Sequence, residues 1–288
     1  MSDNNFNVNW FPGHMMKTKR QMEKDIKLVD AVAEIIDARI PYSSRNPFLS
    51  ENVFNKPRMI LLNKSDISDQ NINAKWVNYY KSKGYNAILV DCKTGKGINT
   101  FLPTLKEILK DKINVQKEKG FLNPTMRVMI VGIPNVGKSS FINKINREAK
   151  AKTADKPGVT RGNQWFNIGK GFDLLDTPGV LWPKFEDKNV ALNLALTGAI
   201  KDEIMDIEEL ALNLITLLVK TKPGSLLERY KIDSIDGLMP YEIMEKIALK
   251  RGMIISKGEV DYERVSIMLV DEFRAGKLGK LSLEIPEV

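Results

Sequence analysis

The sequence predicts an α/β protein in which a mostly parallel sheet, with helices on both faces, is followed by a smaller all-helical domain. Three observations lead to this class. Short apolar, β-branched runs at 31–36, 58–62 and 127–131 alternate with segments of helical spacing. A glycine loop at 132–139 joins one such run to a helix. From residue 188 onward helical spacing dominates, and no strand-like run is evident until the last ten residues.

Length and composition describe an ordinary globular protein. The chain has 288 residues, of which 43% are hydrophobic, enough for two domains, which we place at 1–187 and 188–288. One cysteine, Cys92, excludes an internal disulfide and a cysteine-rich zinc module, and there is no signal-like N-terminus, so we expect a cytoplasmic protein. No apolar run approaches the roughly 18 residues of a membrane span, so we expect no membrane partner.

The net charge of +8 is unevenly distributed. Residues 1–189 hold 31 Lys and Arg against 19 Asp and Glu (+12), whereas residues 190–288 hold 13 against 17 (−4). A positive charge of this size on one domain suits a polyanionic partner such as nucleic acid. Scattered solubilising lysines are the alternative.

The N-terminal region begins with a polar stretch at 1–9, followed by an aromatic segment at 10–16 that contains the only histidine, His14. A lone histidine either packs and caps or takes part in proton transfer, and the sequence leaves both open. A helix with a strongly basic face is predicted over 18–29 from its apolar spacing.

The first strand, 31–36, ends in Asp37-Ala-Arg39-Ile-Pro41. These polar groups lie at the carboxyl end of a parallel strand, where ligands of open α/β sheets bind. A basic loop at 41–47 follows, and then a short helix is predicted to end at Asn55.

The next strand, 58–62, runs into Asn63-Lys64-Ser65-Asp66, which fits the N-K-x-D pattern for guanine. The Asp66 carboxylate would accept two hydrogen bonds from the N1–H and amine of guanine, and adenine has neither donor there. Asn63 would brace the phosphate loop and the base, and the Lys64 stem would cover the purine face. A plain helix cap is the alternative, which the phosphate loop elsewhere in the chain disfavours.

A helix at 74–84 and a strand at 87–90 lead to a glycine-containing loop at 91–97. Its position matches that of the S-A-K loop of guanine-nucleotide-binding proteins, in which a backbone N–H contacts guanine O6. Cys92 and Lys93 are therefore candidates for this backbone contact. A plain glycine-rich turn remains the alternative. A helix over 99–116 is expected to follow.

The segment Gly132-Ile-Pro-Asn-Val-Gly-Lys138-Ser139 meets the phosphate-loop pattern between a strand and a helix predicted from 140 to 147. Its glycines allow successive N–H groups to face the phosphates. Lys138 would reach the β- and γ-phosphates, and the Ser139 hydroxyl would bind Mg²⁺. The further residues expected to contact the nucleotide are Asn135, Val136, Gly137 and Ser140. The alternative is a simple Gly/Pro turn.

A basic segment with glycine and proline follows at 150–162 and is expected to be mobile. One threonine in such a loop supplies the hydroxyl that closes over Mg²⁺ and the γ-phosphate. We choose Thr160 over Thr153, because Thr160 directly precedes the next strand.

A hairpin predicted from 164–168 and 172–175 ends at Asp176-Thr-Pro-Gly179, a D-x-x-G pattern. Asp176 would hold Mg²⁺ through water, and the Gly179 N–H would sense the γ-phosphate. In the helical domain no catalytic constellation is evident. The helices are expected near 189–198, 206–220, 240–250 and 261–275, with Leu210, Leu214, Leu217 and Leu218 in the core.

These motifs occur in an unusual order, because the base-reading loops precede the phosphate loop. W-F-P-G-H-M at 10–15, D-A-R-I-P at 37–41, the phosphate loop, and D-T-P-G-V-L-W-P at 176–183 together resemble the circularly permuted ribosome biogenesis GTPase A family (RbgA/YlqF). The likeness spans nearly the whole chain. It implies a circularly permuted P-loop GTPase domain with a helical, RNA-contacting C-terminal domain.

The resemblance also implies activity and partners. It implies GTP hydrolysis that depends on Mg²⁺ and is stimulated by ribosomes and K⁺, with Asn135 as the K⁺ ligand. An asparagine that serves only the turn is the alternative for Asn135. Where a Ras-like enzyme has a water-positioning glutamine, this chain has Val180 and Leu181, and the family's proposed replacement maps onto His14. The implied partners are the ribosomal RNA and proteins of a large-subunit precursor, at a late step, with release after hydrolysis and a monomer off the ribosome. A ribosomal RNA-binding scaffold with a merely stabilising nucleotide is the alternative.

Overall fold

A computed structural model of the chain describes residues 20–47, 56–150, 164–179, 181–182 and 187–287. The helical domain comprises residues 187–281, and the sheet domain comprises the described residues before it together with a C-terminal tail at 282–287. The predicted division places this tail in the helical domain. The tail belongs to the sheet domain because its backbone and side chains form hydrogen bonds there.

The sheet has six strands in the order β3-β2-β1-β4-β6-β5. All neighbouring strands pair in parallel except β5 and β6, which form an antiparallel hairpin. The mostly parallel sheet of the predicted fold class is thereby confirmed. The strands are β1 (Ala31–Asp37), β2 (Arg58–Asn63), β3 (Asn86–Leu89), β4 (Met126–Val131), β5 (Gln164–Asn167) and β6 (Phe172–Asp176).

The helices of the sheet domain are α1 (Gln70–Ser82), α2 (Phe101–Ile108), α3 (Lys110–Glu118) and α4 (Lys138–Lys150). They cover both faces of the sheet. The β2-α1-β3 and β4-α4-β6 connections leave the centre in opposite directions, so right-handed crossovers place α1 and α4 on opposite faces. On the α1 side, Trp76 and Tyr80 pack with Leu62. On the other side, Phe101 and Phe141 meet edge to face with centroids 4.9 Å apart.

The strand order creates a topological switch point between β1 and β4. Strands β2 and β3 extend from one side of this pair, and β6 and β5 extend from the other. The carboxyl ends of the parallel strands meet at one edge, where Asp37 lies opposite Asn63 and Ile130 lies opposite Asp176. Ligands of such sheets bind in the crevice at this position.

Several elements differ from their predicted bounds. The α1 helix begins at Gln70 because the Asp69 carboxylate caps the N–H groups of the first turn. The helix predicted over 99–116 is two helices, since Leu109 leaves the helical conformation between α2, which buries Phe101 and Leu105, and α3, which buries no residue. The basic N-terminal helix is observed at 20–25 and ends in the 3-10 turn Ile26–Leu28. The predicted helix before Asn55 falls outside the described residues.

The helical domain contains α5 (Lys188–Leu196), α6 (Ile207–Thr221), α7 (Pro223–Tyr230), α8 (Pro240–Arg251) and α9 (Tyr262–Arg274). As predicted, Leu210, Leu214 and Leu218 are fully buried, whereas Leu217 is half-buried. The sequence pattern missed α7, because Pro223 suggested a break and instead starts a new helix at a position that tolerates proline. Residues 279–287 contain no strand.

Among the described residues, no single helix is both long and apolar enough to cross a membrane. The consecutive helices α6 and α7 reach that length and hydropathy only together, and they are bent by 113°.

Candidate functional site

The segment between β4 and α4 forms a tight loop whose two glycines have no room for a side chain. A Cβ on Gly132 would lie 2.4 Å from the Ile35 carbonyl oxygen of β1, and one on Gly137 would lie 2.3 Å from the Asn63 amide nitrogen. Gly137 has φ +101° and Asn135 has φ +60°, a left-handed conformation that asparagine tolerates better than most residues. The loop is therefore seated directly against β1 and the end of β2.

Lys138 begins α4 and turns its side chain back across this loop. Its ammonium donates hydrogen bonds to the carbonyl oxygens of Gly132 (2.9 Å) and Ile133 (3.0 Å). Burial lowers the pKa of Lys138 to about 8, and the nearby Asp176 carboxylate opposes this shift. Ser139 and Ser140, which follow it in the first turn of α4, are exposed to solvent.

Asn63 at the end of β2 links two loops through its side-chain amide. The amide nitrogen donates to the Val136 carbonyl oxygen at 2.6 Å, and the amide oxygen accepts from the Cys92 N–H at 3.0 Å. Asn63 is 3% exposed. A buried side chain that satisfies both of its polar ends holds the 132–139 loop and the 91–97 loop at a fixed separation.

The remaining residues of the N-K-x-D segment line the same edge. Lys64 has φ +63° and forms an ion pair with Asp37 at 2.8 Å. Ser65 donates to the Val90 carbonyl oxygen at 2.9 Å, which fixes this segment beside the 91–97 loop. Asp66 is half-buried and close enough to Cys92 to influence its titration.

The 91–97 loop is organised by its first residue. The Asp91 carboxylate accepts hydrogen bonds from the N–H groups of Lys93 (2.8 Å) and Thr94 (3.2 Å). Burial, together with Asp91 and Asp66, raises the pKa of the Cys92 thiol to about 12, so the thiol stays neutral. Both backbone N–H groups predicted to contact guanine O6 have acceptors in this structure. If the Lys93 N–H contacts the base, its hydrogen bond to the Asp91 carboxylate must therefore be shared with the base or broken.

The D-x-x-G segment lies against the phosphate-loop segment. Thr177 donates to the Ile130 carbonyl oxygen at 2.8 Å, which anchors the chain after β6 to β4. A Cβ on Gly179 would lie only 2.7 Å from the Lys138 ammonium nitrogen and 3.0 Å from the Pro134 nitrogen. Asp176 is 3% exposed at the end of β6. Hydroxyl and carboxylate oxygens, as on Ser139 and Asp176, are ligands that suit Mg²⁺.

Two predicted site residues, His14 and Thr160, fall outside the described residues, as does Val180. Leu181 is buried. Sequence reasoning gave no role to Thr177, nor to the Asp37 ion pair with Lys64. The position of Asp37 at the end of a strand indicated that its side chain belongs to the site, but no local pattern indicated that Lys64 is its partner.

Comparison with known proteins adds independent observations. A family model described as 50S ribosome-binding GTPase matches residues 127–247, and one described as RsgA GTPase matches residues 50–186. Ribosome biogenesis GTPase A of Bacillus cereus is 44% identical over 280 residues, covering 97% of this chain and 94% of the relative. The protein of that name from Priestia megaterium is 43% identical, and the match covers 97% of this chain and 97% of the relative. The match to the crystal structure of GNP-bound YlqF from T. maritima covers 94% of this chain and 99% of the YlqF chain, with a TM-score of 0.63 and 30% sequence identity.

The lowered pKa of Lys138 predicts proton uptake when phosphates bind. With a pKa of about 8 in the free protein, roughly half of the Lys138 side chains are neutral at pH 8 and about a tenth at pH 7. Phosphate oxygens favour the ammonium form, so the complex holds more protons and affinity falls as the pH rises above 8. GDP binding should take up about half a proton at pH 8 and about a tenth at pH 7.

Calorimetric titration in two buffers of different ionisation enthalpy measures this uptake. The matched variant is Lys138→Arg, which stays charged at both pH values and should show no uptake at pH 8. Zero uptake by the parent protein at pH 8 would contradict the prediction.

Proposed function

Since this chain belongs to the ribosome biogenesis GTPase A family, we propose that it is a cytoplasmic, GTP-hydrolysing switch that acts at a late step of large ribosomal subunit maturation and leaves after hydrolysis. One observation carries the proposal. The end of β2, the loop after β4 and the segment after β6 converge at one edge of the sheet. There Asn63 contacts Val136 of the phosphate loop, and Gly179 lies against Lys138, whose side chain crosses the same loop.

The proposed nucleotide pose follows from these contacts. The N–H groups of residues 135–140 and the positive end of α4 face the phosphates. Lys138 exchanges its two carbonyl acceptors for β- and γ-phosphate oxygens. Because a bound γ-phosphate would lie between Lys138 and Gly179, the Gly179 N–H reports its presence. At the other end, Asp66 reads the base, and Asn63 keeps the two ends of the site at a fixed distance.

Mg²⁺ fits the oxygen donors available beside the phosphates. Ser139 would bind it directly, Asp176 through water, and Thr160 on closure of the 150–162 segment. Bound there, it would neutralise charge that develops on the phosphate oxygens. His14 is proposed to orient or deprotonate the attacking water, since apolar Leu181 and Val180 cannot.

The proposed partners are ribosomal RNA and ribosomal proteins of a large-subunit precursor, with the protein monomeric when free. The +12 charge of residues 1–189 supports contact of the sheet domain with phosphates. The more acidic helical domain, in contrast, would dock through a local surface.

Base selection by Asp66 predicts an exchange of specificity. Asp66→Asn replaces an acceptor by a donor, so GTP affinity should fall by roughly 10²-fold or more while XTP affinity rises. Fluorescence titration with both nucleotides checks this. Asp69→Asn is the matched control, because the Asp69 side chain caps α1 and asparagine caps equally well. Unchanged selectivity in Asp66→Asn would show that another residue reads the base.

The proposed K⁺ site at Asn135 predicts faster GTP hydrolysis in KCl than in NaCl at equal ionic strength. A monovalent cation beside the phosphates would stabilise charge in the transition state. Asn135→Gly keeps the backbone φ of +60° accessible while removing the amide ligand, so this variant should hydrolyse GTP slowly and equally in both salts. Equal rates of the parent protein in KCl and NaCl would remove the K⁺ assignment.

The switch itself predicts that large-subunit precursor particles accelerate single-turnover GTP hydrolysis and bind the form carrying a non-hydrolysable GTP analogue more tightly than the GDP form. Binding should weaken steeply with salt, since phosphate contacts release counterions. His14→Ala should keep GTP affinity but lower the stimulated rate by roughly 10²-fold. A protein that binds the particles equally in both nucleotide states, without stimulated hydrolysis, would instead be a scaffold.

A further inference from the structure

The loop after β1 is built around a buried ion pair between Asp37 and Arg39. Asp37 and Arg39 are each 1% exposed. Arg39 donates three hydrogen bonds to the Asp37 carboxylate: from its backbone N–H and Nε to Oδ1, both at 3.0 Å, and from a terminal nitrogen to Oδ2 at 2.7 Å. The Asp37 carboxylate is therefore fixed in direction as well as in position.

The second partner of Asp37 is Lys64, whose ammonium lies 2.8 Å from Oδ2. The two residues meet because Asp37 pairs with Asn63 across β1 and β2, and the Ala38 N–H donates to the Asn63 carbonyl oxygen at 2.8 Å. Although burial alone raises the pKa of the Asp37 carboxyl, Arg39 and Lys64 hold it well below its usual range. The carboxylate therefore stays charged and attracts Lys64 throughout the physiological pH range.

Lys64 differs from the buried residues Asp37 and Arg39 because its side chain is 24% exposed. Its backbone adopts a left-handed φ of +63°, which side-chain-bearing residues rarely adopt without support from their surroundings. The ion pair thus anchors the far end of a side chain that is still accessible beside Asp66.

The C-terminal tail holds the other side of the same loop. The Leu283 N–H donates to the Arg39 carbonyl oxygen at 2.8 Å. The Glu284 carboxylate accepts hydrogen bonds from the N–H groups of Tyr42 (2.6 Å) and Ser43 (3.0 Å) and from the Ser43 hydroxyl. The Glu284 carbonyl in turn accepts from the Trp76 indole at 3.1 Å, which ties the tail to α1.

We propose that Asp37 is a positioning residue for guanine binding, which holds the Lys64 side chain along the face of the base, and that Glu284 of the C-terminal tail supports it by fixing the loop that carries Arg39. The inference rests on the proposed function, because it assumes that Lys64 covers the base. It extends the base site to residues far from the N-K-x-D segment and to the last residues of the chain.

A double-mutant cycle on Asp37 and Lys64 tests the first part. Dissociation of fluorescent GDP is measured by stopped flow for the parent protein, Asp37→Asn, Lys64→Met and the double variant. Each single change should accelerate dissociation about tenfold, and the double variant should be no faster than the faster single one, because Asp37 acts through Lys64. Multiplying effects would mean that Asp37 supports the fold independently of Lys64 and would overturn the assignment.

A second measurement separates the positioning of Lys64 on the ring face from the recognition of the guanine edge by Asp66. In an Asp66→Asn background, Asp37→Asn should accelerate XDP dissociation by the same factor as it accelerates GDP dissociation in the parent protein, since Lys64 contacts the ring face common to both bases. A factor near one for XDP would also overturn the assignment.

Glu284→Gln tests the tail without disturbing the buried charges. It weakens three hydrogen bonds to the Tyr42–Ser43 loop and should accelerate GDP dissociation about threefold to tenfold. Glu287→Gln is the matched control, because Glu287 is exposed, and it should dissociate GDP like the parent protein. Equal rates for both variants would remove the tail from the proposal. Failure of the parent protein to bind GDP would refute the proposed function instead.

Discussion

The side-chain amide of Asn63 is the contact on which the geometry of the site depends. It donates to Val136 at 2.6 Å and accepts from Cys92 at 3.0 Å, and both bonds are shielded from water. Gly137 approaches so closely that a single added carbon would collide with the amide nitrogen. A site that binds the base and the phosphates of one nucleotide at the same time needs a defined separation between its two loops.

The sheet makes the order of the loops along the chain unimportant for assembling the site. Because β1 lies beside β4 and all strands except β5 run parallel, the loops after β1, β2, β4 and β6 meet at one edge whichever is synthesised first. What the order does change is connectivity. The D-x-x-G segment ends at Gly179, eight residues before the first described residue of the helical domain, Asp187. The D-x-x-G segment is therefore joined to the helical domain by a short stretch of chain.

The chain also returns to the sheet domain after the helical domain. The tail from 282 to 287 contacts the loop that begins at Asp37, so the two covalent connections to the helical domain lead to opposite ends of the proposed nucleotide site. One leads to the segment that contacts the phosphate loop, and the other leads to the loop after β1, which lies beside the proposed base site.

The class of fold, the phosphate loop and the N-K-x-D and D-x-x-G segments could be predicted from the sequence, because strand periodicity and the demand for glycine in a tight loop are local properties. The sequence did not reveal α7, since a proline reads the same way whether it ends a helix or begins one. The ion pair between Asp37 and Lys64, and the hydrogen bond that Glu284 accepts from the Tyr42 N–H 242 residues earlier, became evident only in the folded chain. Such contacts depend on which strands become neighbours and where the chain returns, and no local pattern encodes either.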